Sequence, residues 1–171
     1  MEDPKLIPLP LQWTLRAHFQ STLQTFKGNY TPVMDVATIH DWLCLDSALA
    51  PSSVFLTWNK KFVTKSRPVA TFSLFQSGIL PEWESEENSG GHTLSAKLLP
   101  VDDPDGVWRL LVLDCARGRN DFVNGIFIGR KIQGGVPVVR VEVWTRRGSS
   151  SKPLTYLKKT YHPSFQLVPR K

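Results

Sequence analysis

Near the middle of the chain the sequence reads Phe72-Ser73-Leu74-Phe75-Gln76-Ser77-Gly78-Ile79-Leu80-Pro81-Glu82-Trp83-Glu84. Its first half is an apolar run, typical of a buried strand that residues 69–75 would form. Gly78 and Pro81 then interrupt the run and indicate a loop. This loop presents Trp83 next to Glu84, so it offers an aromatic face beside a carboxylate.

An aromatic face beside a carboxylate suits a flat cationic ligand. A purine methylated at N7 is planar and positively charged, and cation–π attraction contributes about 0.5–2 kcal/mol per aromatic face. Stacking of a base on an aromatic side chain is worth about 1–3 kcal/mol. Guanine also has two adjacent donors on its Watson–Crick edge, which an ionised Glu84 can accept together. The plainer alternative, a packed Trp83 and a solvated Glu84, stays open at this point.

Length and charge limit the class of protein. A chain of 171 residues is expected to form one domain, here residues 1–171, with a hydrophobic core. The net charge of +6 and the six Trp residues favour an anionic partner with flat groups, of which a nucleic acid or nucleotide is the obvious example.

Cysteine usage and hydropathy indicate the compartment. Cys44 and Cys115 lack the spacing of a metal site and are predicted to be buried free thiols, which favours a reducing compartment. No apolar run approaches the roughly 20 residues of a membrane span, and Met1-Glu2-Asp3-Pro4 does not resemble a signal peptide. We therefore expect a soluble cytoplasmic protein without membrane contact. The nucleus is a second compartment that fits the same features.

Periodicity and turn residues predict a mixed fold. Residues 1–10 are expected to be an extended leader, and residues 50–67, which show no sustained period, a long surface insertion. The predicted strands are residues 12–17, 69–75, 92–98, 125–128 and 136–144; the predicted helices are residues 36–49, one between Asp103-Pro104 and Gly118, and a short basic one between Lys152-Pro153 and His162-Pro163. Since strands predominate and helices are interspersed singly, the predicted class is α+β, an antiparallel sheet with helices packed on one face.

Five blocks of sequence occur in a recognisable order. The most specific is F-S-L-F-x-x-G-I-x-P-x-W-E at residues 72–84, with Asn88 and Gly90-Gly91 after it; the others are Pro8-Leu9 with Trp13-Thr14-Leu15, Thr38-Ile39-His40-Asp41-Trp42, Val107-Trp108, and Val141-Glu142-Val143-Trp144-Thr145. With these blocks the chain resembles the cap-binding translation initiation factor 4E family over nearly its whole length, as a divergent member. The resemblance implies a curved antiparallel sheet, about three helices packed on its convex face, and a site for the mRNA 5′ cap on its concave face.

The resemblance also implies which residues hold the base of the cap. Trp83 would stack on 7-methylguanine, Glu84 would accept its Watson–Crick donors, and Trp144 would lie against the N7-methyl group. The family's second stacking residue is a Trp before the first helix, and ungapped counting puts Phe26 there. Tyr30 and Trp58 are the alternatives to Phe26.

Further residues are implied for the phosphates and for a protein partner. Arg140 and Lys131 match the family's phosphate-binding cations, Arg130 is a neighbour that would point to the opposite face, and His92 stands where an Arg is often found. A helix of a 4G-type scaffold or a 4E-binding repressor would dock on the convex face; the positions implied are Pro8, Leu9, Ile39, Trp42 or Leu43, and Leu113. The protein is expected to be a monomer apart from this partner, without a cofactor or metal.

Other classes of function fit less well. The chain lacks a G-x-S-x-G nucleophile motif and its four His are scattered, so we expect that the protein is not an enzyme. A general domain for single-stranded RNA remains an alternative, because aromatic and basic residues suit that task too. A 4E-like adaptor that has lost cap binding is another.

Overall fold

The computed structural model describes residues 7–19, 29–49, 63–64, 67–148 and 152–168. Within these residues the chain forms eight strands and three α-helices. The strands are β1 (Pro8–Phe19), β2 (Tyr30–Thr38), β3 (Val63–Thr64), β4 (Arg67–Gln76), β5 (Thr93–Leu98), β6 (Val123–Gln133), β7 (Val136–Thr145) and β8 (Gln166–Val168). The helices are α1 (Ile39–Leu49), α2 (Pro104–Ala116) and α3 (Lys152–Thr160), with a 3-10 turn, Pro100–Asp102, before α2.

The strands form one curved antiparallel sheet in the order β2-β1-β4-β6-β7-β5-β8, with β3 paired to β4. The helices pack on its convex face, which confirms the predicted α+β architecture. None of the helices in the described ranges has the length and apolar character needed to cross a membrane.

The main core lies between the sheet and the helices. Along β7, Val139, Val141 and Val143 are fully buried and belong to this core, because alternate residues of a strand share a face. Trp108 and Leu111 of α2 are buried in the same cluster. The residues between the valines of β7 therefore point to the concave face.

Local signals explain α2, the helix that the sequence defines best. The Asp103 side chain accepts a hydrogen bond from the Gly106 backbone N–H at 3.1 Å, and Pro104 occupies the first turn, where its missing N–H costs nothing. Gly118 follows the helix with a φ of 70°, a left-handed conformation that glycine adopts easily. The predicted start and end of this helix are confirmed.

The predicted helix at residues 36–49 begins later than expected, at Ile39. Val36 is 1% exposed and lies in β2, so its burial comes from the sheet and not from helical periodicity. Thr38 and Asp41 cap the helix as predicted: the Thr38 N–H donates to Asp41 Oδ2 at 2.9 Å, and the Asp41 N–H donates to Thr38 Oγ1 at 3.2 Å. The hydrogen bond from the Thr38 side chain lowers the pKa of the Asp41 carboxyl group.

Other boundaries also differ from the prediction. β1 begins at Pro8, inside the supposed leader, because Pro8 pairs with Thr38 of β2. The strands β2 and β8 were not predicted; both lie at edges of the sheet, where the apolar alternation is weak. Of the supposed insertion at residues 50–67, residues 63–64 and 67 belong to strands, and the rest lies outside the described residues.

The two cysteines differ in exposure. Cys115 of α2 is buried, as predicted, and burial raises the pKa of its thiol to about 12. The prediction is wrong for Cys44, which is exposed on α1. The residue that α1 turns into the core at this point is the adjacent Leu45, 1% exposed, and successive helical residues point about 100° apart.

Candidate ligand-binding site on the concave face

Three side chains of β7 lie at the centre of the candidate site. Arg140, Glu142 and Trp144 alternate with the core valines, so all three lie on the concave face. Ser95 on β5 and Phe127 on β6 are the cross-strand partners of Glu142. The sheet thus places a charged pair beside an aromatic cluster.

The aromatic cluster is a small second core on this face. Phe75, Phe127 and Trp144 are buried, with ring centroids 4.9–5.4 Å apart in edge-on or tilted arrangements that aromatic rings favour. Gly125 lies opposite Trp144, and a Cβ there would collide with the ring of Phe75. Glycine at 125 is therefore needed for Phe75 to pack beside Trp144.

Trp83 stacks on this cluster from the loop that follows β4. Its ring centroid lies 3.1 Å from that of Trp144, and the two ring planes differ by 20°. Trp144 is 4% exposed whereas Trp83 is 38% exposed, so Trp83 is the outer member of the pair and the one that a ligand reaches first. Glu84 follows it on the loop with an exposed side chain.

Two buried asparagines hold the Trp83 loop. The Asn88 side-chain amide, 1% exposed, donates to the carbonyl oxygens of Leu80 and Glu82 at 2.8 Å each. Asn124 of β6 donates to the Glu87 carbonyl at 2.6 Å and to Asn88 Oδ1 at 3.2 Å. These bonds tie both sides of Trp83 to the sheet.

Arg140 is the best-placed of the predicted phosphate-binding residues. Its Nη2 lies 2.7 Å from Glu142 Oε1, and its Nε donates to Ser95 Oγ at 3.2 Å. The residue opposite Arg140 on β6 is Gly129, not Lys131 or Arg130. None of the predicted cations therefore lies directly across from Arg140, whose partner on β5 is Lys97.

The other three predicted cations are placed differently. The backbone of Lys131 pairs with Val138, and its side chain lies outside the described part of the structure. Arg130 pairs with Val139, a core residue, so Arg130 belongs to the face opposite Arg140, as alternation predicted. His92 is exposed before β5, and its backbone N–H donates to Thr145 Oγ1 at 3.0 Å.

Of the three candidates for the second stacking aromatic, the structure describes Tyr30. Its hydroxyl donates to Glu82 Oε1 at 3.0 Å, and its ring lies 5.4 Å from that of His18. Tyr30 is thus connected to the loop that carries Trp83. Phe26 and Trp58 lie outside the described residues.

The sequence analysis did not identify a row of buried polar side chains on β1 at this face. His18 is 3% exposed, its Nε2 lies 2.7 Å from Ser73 Oγ, and its ring lies 5.2 Å from that of Phe127. Burial, aided by the charge of Arg16, lowers the pKa of His18 to about 4, so the imidazole is neutral. The alternation of Thr14, Arg16 and His18 along β1 was the signal that could have revealed this row.

The convex face carries the predicted partner-binding positions. The Ile39 N–H donates to the Ile7 carbonyl at 3.0 Å, which brings the exposed Pro8 and the half-buried Leu9 close to the start of α1. Trp42 packs against the core whereas Leu43 is 46% exposed, so Leu43 is the surface residue of the two.

The facing part of α2 differs in character. Leu113 is half-buried and Leu110 is 52% exposed. Arg109 forms a bidentate pair with Asp46 of α1, with both N–O distances 2.7 Å. This ion pair joins the two helices on the convex surface.

The open face of the curved sheet thus carries an aromatic stack together with an arginine–glutamate pair, and helices back the other face. The family model described as Eukaryotic initiation factor 4E matches residues 8–171, and the chain belongs to that family. It is 25% identical over 171 residues to eukaryotic translation initiation factor 4E of Bos taurus and of Homo sapiens, covering 95% of this chain and 71% of each relative.

Solved structures share the fold at lower identity. Schistosome eIF4E, solved with m7GpppG and 4E-BP, has a TM-score of 0.72 and 15% identity, covering 97% of this chain and 90% of that one. Ascaris suum eIF4E-3, solved with the m2,2,7G cap, has a TM-score of 0.68 and 15% identity, covering 96% and 92%. C. elegans eIF4E-3, solved with the 4E-binding protein Mextli and a cap analog, has a TM-score of 0.66 and 17% identity, covering 91% and 83%.

Proposed function

We propose that this protein binds the 7-methylguanosine 5′ cap of mRNA on its concave face and links it, through its helical face, to a scaffold or repressor protein in translation initiation or its control. The observation that carries the proposal is the Trp83–Trp144 stack with Glu84 beside it, in a chain of the 4E family. Its task is binding and not catalysis, and a role in translation belongs to the cytoplasm.

Recognition of the base needs both charge and shape. Trp83 offers a π-face to the cationic 7-methylguanine, and Trp144 offers its buried indole to the N7-methyl group. Glu84 is the acceptor for the two donors on the Watson–Crick edge. Unmethylated guanine loses the cation–π part of this attraction, and adenine lacks the pair of donors.

The Trp83–Trp144 stack has to open for the base to enter. With 3.1 Å between the ring centroids, no base fits between the two indoles as they stand. Trp83 is the exposed member, so its side chain is the one that turns away, while Asn88 and Asn124 keep the loop backbone in place. A second aromatic, Phe26, Trp58 or Tyr30, then completes the sandwich. The lost indole contact costs about 0.5–1.5 kcal/mol, which the base stacking of about 1–3 kcal/mol offsets.

The phosphate chain of the cap extends from the base towards Arg140. A guanidinium forms charge-assisted hydrogen bonds to phosphate oxygens, which are stronger than neutral ones. Lys131 and His92 are the further candidates, and Arg130 is the least favoured because it belongs to the other face of β6.

The convex face is proposed to bind a helix of a 4G-type scaffold or a 4E-binding repressor. Schistosome and C. elegans relatives were solved with such partners, 4E-BP and Mextli. The exposed Leu43 and Pro8, with the half-buried Leu9, Ile39 and Leu113, offer apolar anchors for an amphipathic helix.

Titration of the protein with 7-methyl-GTP and with GTP, followed by Trp fluorescence, tests the cap-binding proposal. We expect saturable quenching and clearly tighter binding of the methylated nucleotide. Glu84→Gln should remove most of this affinity, while Glu86→Gln, an exposed acid on the same loop, serves as the matched control. Equal affinities for the two nucleotides would refute cap recognition.

The same assay separates the two alternatives. A general single-stranded RNA-binding domain would need a longer ligand than a mononucleotide, and its affinity would fall steeply with salt. An adaptor without cap binding would respond to neither ligand, yet would still retain a partner peptide on its helical face. Elution of the protein from a 7-methylguanosine resin by free cap, with its partner attached, would support both halves of the proposal.

A further inference from the structure

Glu142 lies between the two halves of the candidate site. Its Oε1 is 2.7 Å from Arg140 Nη2, and its Oε2 accepts a hydrogen bond from Trp144 Nε1 at 3.4 Å. One carboxylate therefore contacts both the indole proposed to meet the methylated base and the guanidinium proposed to meet the phosphates.

The surroundings of Glu142 make its charge effective. Its side chain is 20% exposed, so its field is less screened by water than that of a surface carboxylate. Its cross-strand neighbours are Phe127 and Ser95, which carry no charge. Arg140 contacts Glu142 directly, and the exposed Lys97 of β5 is the residue opposite Arg140.

The contacts of Arg140 show what Glu142 does to the guanidinium. Nη2 contacts Glu142 and Nε donates to Ser95, so this edge of the fork is already occupied. A phosphate must approach the remaining edge or compete with Glu142. Either way it meets an arginine whose positive charge is largely neutralised by the nearby carboxylate.

We propose that Glu142 is a specificity-determining residue of the cap site, which shifts recognition from the phosphates towards the positively charged base. This inference rests on the proposed cap binding. The carboxylate weakens the attraction of the site for phosphate, and it strengthens the attraction for an N7-methylated base beside Trp144. Glu142 thereby makes binding depend more on methylation and less on the number of phosphates.

The size of the effect follows from Coulomb's law. One unit charge about 7 Å from another changes a binding constant about threefold even in a water-like dielectric, so this value is a lower bound for the less screened Glu142. The methylated base differs from guanine by one positive charge, so loss of the carboxylate should lower the 7-methyl-GTP to GTP affinity ratio about threefold. 7-Methyl-GTP exceeds 7-methyl-GMP by about two negative charges, so the ratio between those two affinities should rise about tenfold.

Glu142→Gln is the central variant because it keeps shape and loses charge. Dissociation constants for GTP, 7-methyl-GTP and 7-methyl-GMP are measured by titration at low and moderate salt. The concentration of binding-competent protein is determined for each variant, so that inactive protein does not alter the constants. Glu142→Ala is the second variant and is expected to show the same pair of changes. Asp121→Asn, at an exposed turn before β6, makes the same change in net charge and should leave both ratios unaltered.

Ser95→Ala separates charge from positioning. It removes the other hydrogen bond of Arg140 without changing any charge. We expect weaker binding of 7-methyl-GTP in this variant but an unchanged methylation ratio.

The expected signature is a pair of opposite changes, which a variant that is merely distorted would not produce. If Glu142→Gln and Glu142→Ala leave both ratios as in the wild type, or lower both together, the assignment of Glu142 is wrong while cap binding itself stands. If the wild-type protein does not prefer 7-methyl-GTP to GTP, the proposed function and this inference fail together.

Discussion

Asn88→Asp tests whether one buried amide holds the Trp83 loop in place. The wild-type side chain donates to two carbonyl oxygens at 2.8 Å, and its own oxygen accepts from Asn124. The substitution keeps the shape but replaces the donor group by an oxygen that faces the Leu80 and Glu82 carbonyls. Two attractive contacts become repulsive, at a site that is 1% exposed.

The cost can be estimated from these contacts. Loss of two hydrogen bonds removes about 2 kcal/mol, and burial of a carboxylate that keeps the Asn124 donor on one oxygen alone adds about 2 kcal/mol or more. The free energy of unfolding should therefore fall by about 4 kcal/mol, which a domain with about 5–15 kcal/mol of stability survives. Because the loop is what loosens, cap affinity should also fall, by about ten- to a hundredfold, as binding must then order the loop.

Two measurements check this prediction. Urea unfolding followed by circular dichroism gives the stability, and 7-methyl-GTP titration of the folded protein gives the affinity. Burial raises the pKa of the introduced carboxyl above its unfolded value, so its destabilising effect should grow as pH rises from 5 to 8. The effect of Asn88→Ala should not depend on pH in this way.

Asn120→Asp is the matched control for the loop. Asn120 is fully buried and donates to the Tyr161 hydroxyl at 2.9 Å, in a different part of the molecule. We expect this variant to lose stability but to keep its cap affinity. If Asn88→Asp also kept wild-type affinity, the idea that Asn88 positions Trp83 would have to be abandoned.

Three further predictions concern single residues. Glu84→Ala should cost about 2–4 kcal/mol of cap-binding free energy in a calorimetric titration, because two charged hydrogen bonds are lost; retained affinity would exclude Glu84 from the site. The pKa of buried His18 is lowered to about 4, so the stabilisation from the neutral imidazole is complete above pH 6.5 and is lost as pH falls from 6.5 towards 4. The loss amounts to about 3 kcal/mol of the free energy of unfolding. In urea unfolding measured across this pH range, His18→Gln should show a smaller decrease in stability. A thiol reagent should label Cys44 rapidly and Cys115 only after unfolding, and two fast equivalents would contradict the buried position of Cys115.

The elements that could be predicted from the sequence are those with strong local signals. Asp103-Pro104 and Gly118 mark the ends of α2, and Gly134-Gly135 marks the turn between β6 and β7, where both glycines have positive φ. β2 escaped prediction because Val36, buried by the sheet, mimicked the first turn of the following helix. β8, with three residues at the sheet edge, is too short for a period to appear.

The candidate site divides in a similar way. The family resemblance predicts four of the site residues, namely Trp83, Glu84, Trp144 and Arg140, and the loop sequence indicates the first two by itself. Their roles stay predictions. Glu142 could not be predicted, because a single acid within a strand carries no pattern of its own. Its importance appears only once its contacts to Arg140 and Trp144 are known.

By itself, the sequence determined the kind of fold and indicated the kind of ligand that we propose. Hydrophobic alternation, helix caps and glycine turns act over a few residues, and aromatic and charged side chains carry their chemistry wherever they lie. The tertiary structure alone decided that Trp83 rests on Trp144 and that Glu142 joins Trp144 to Arg140. The reason is that sheet register sets which distant segments meet, and a shift by one residue would turn every one of these β7 side chains to the other face.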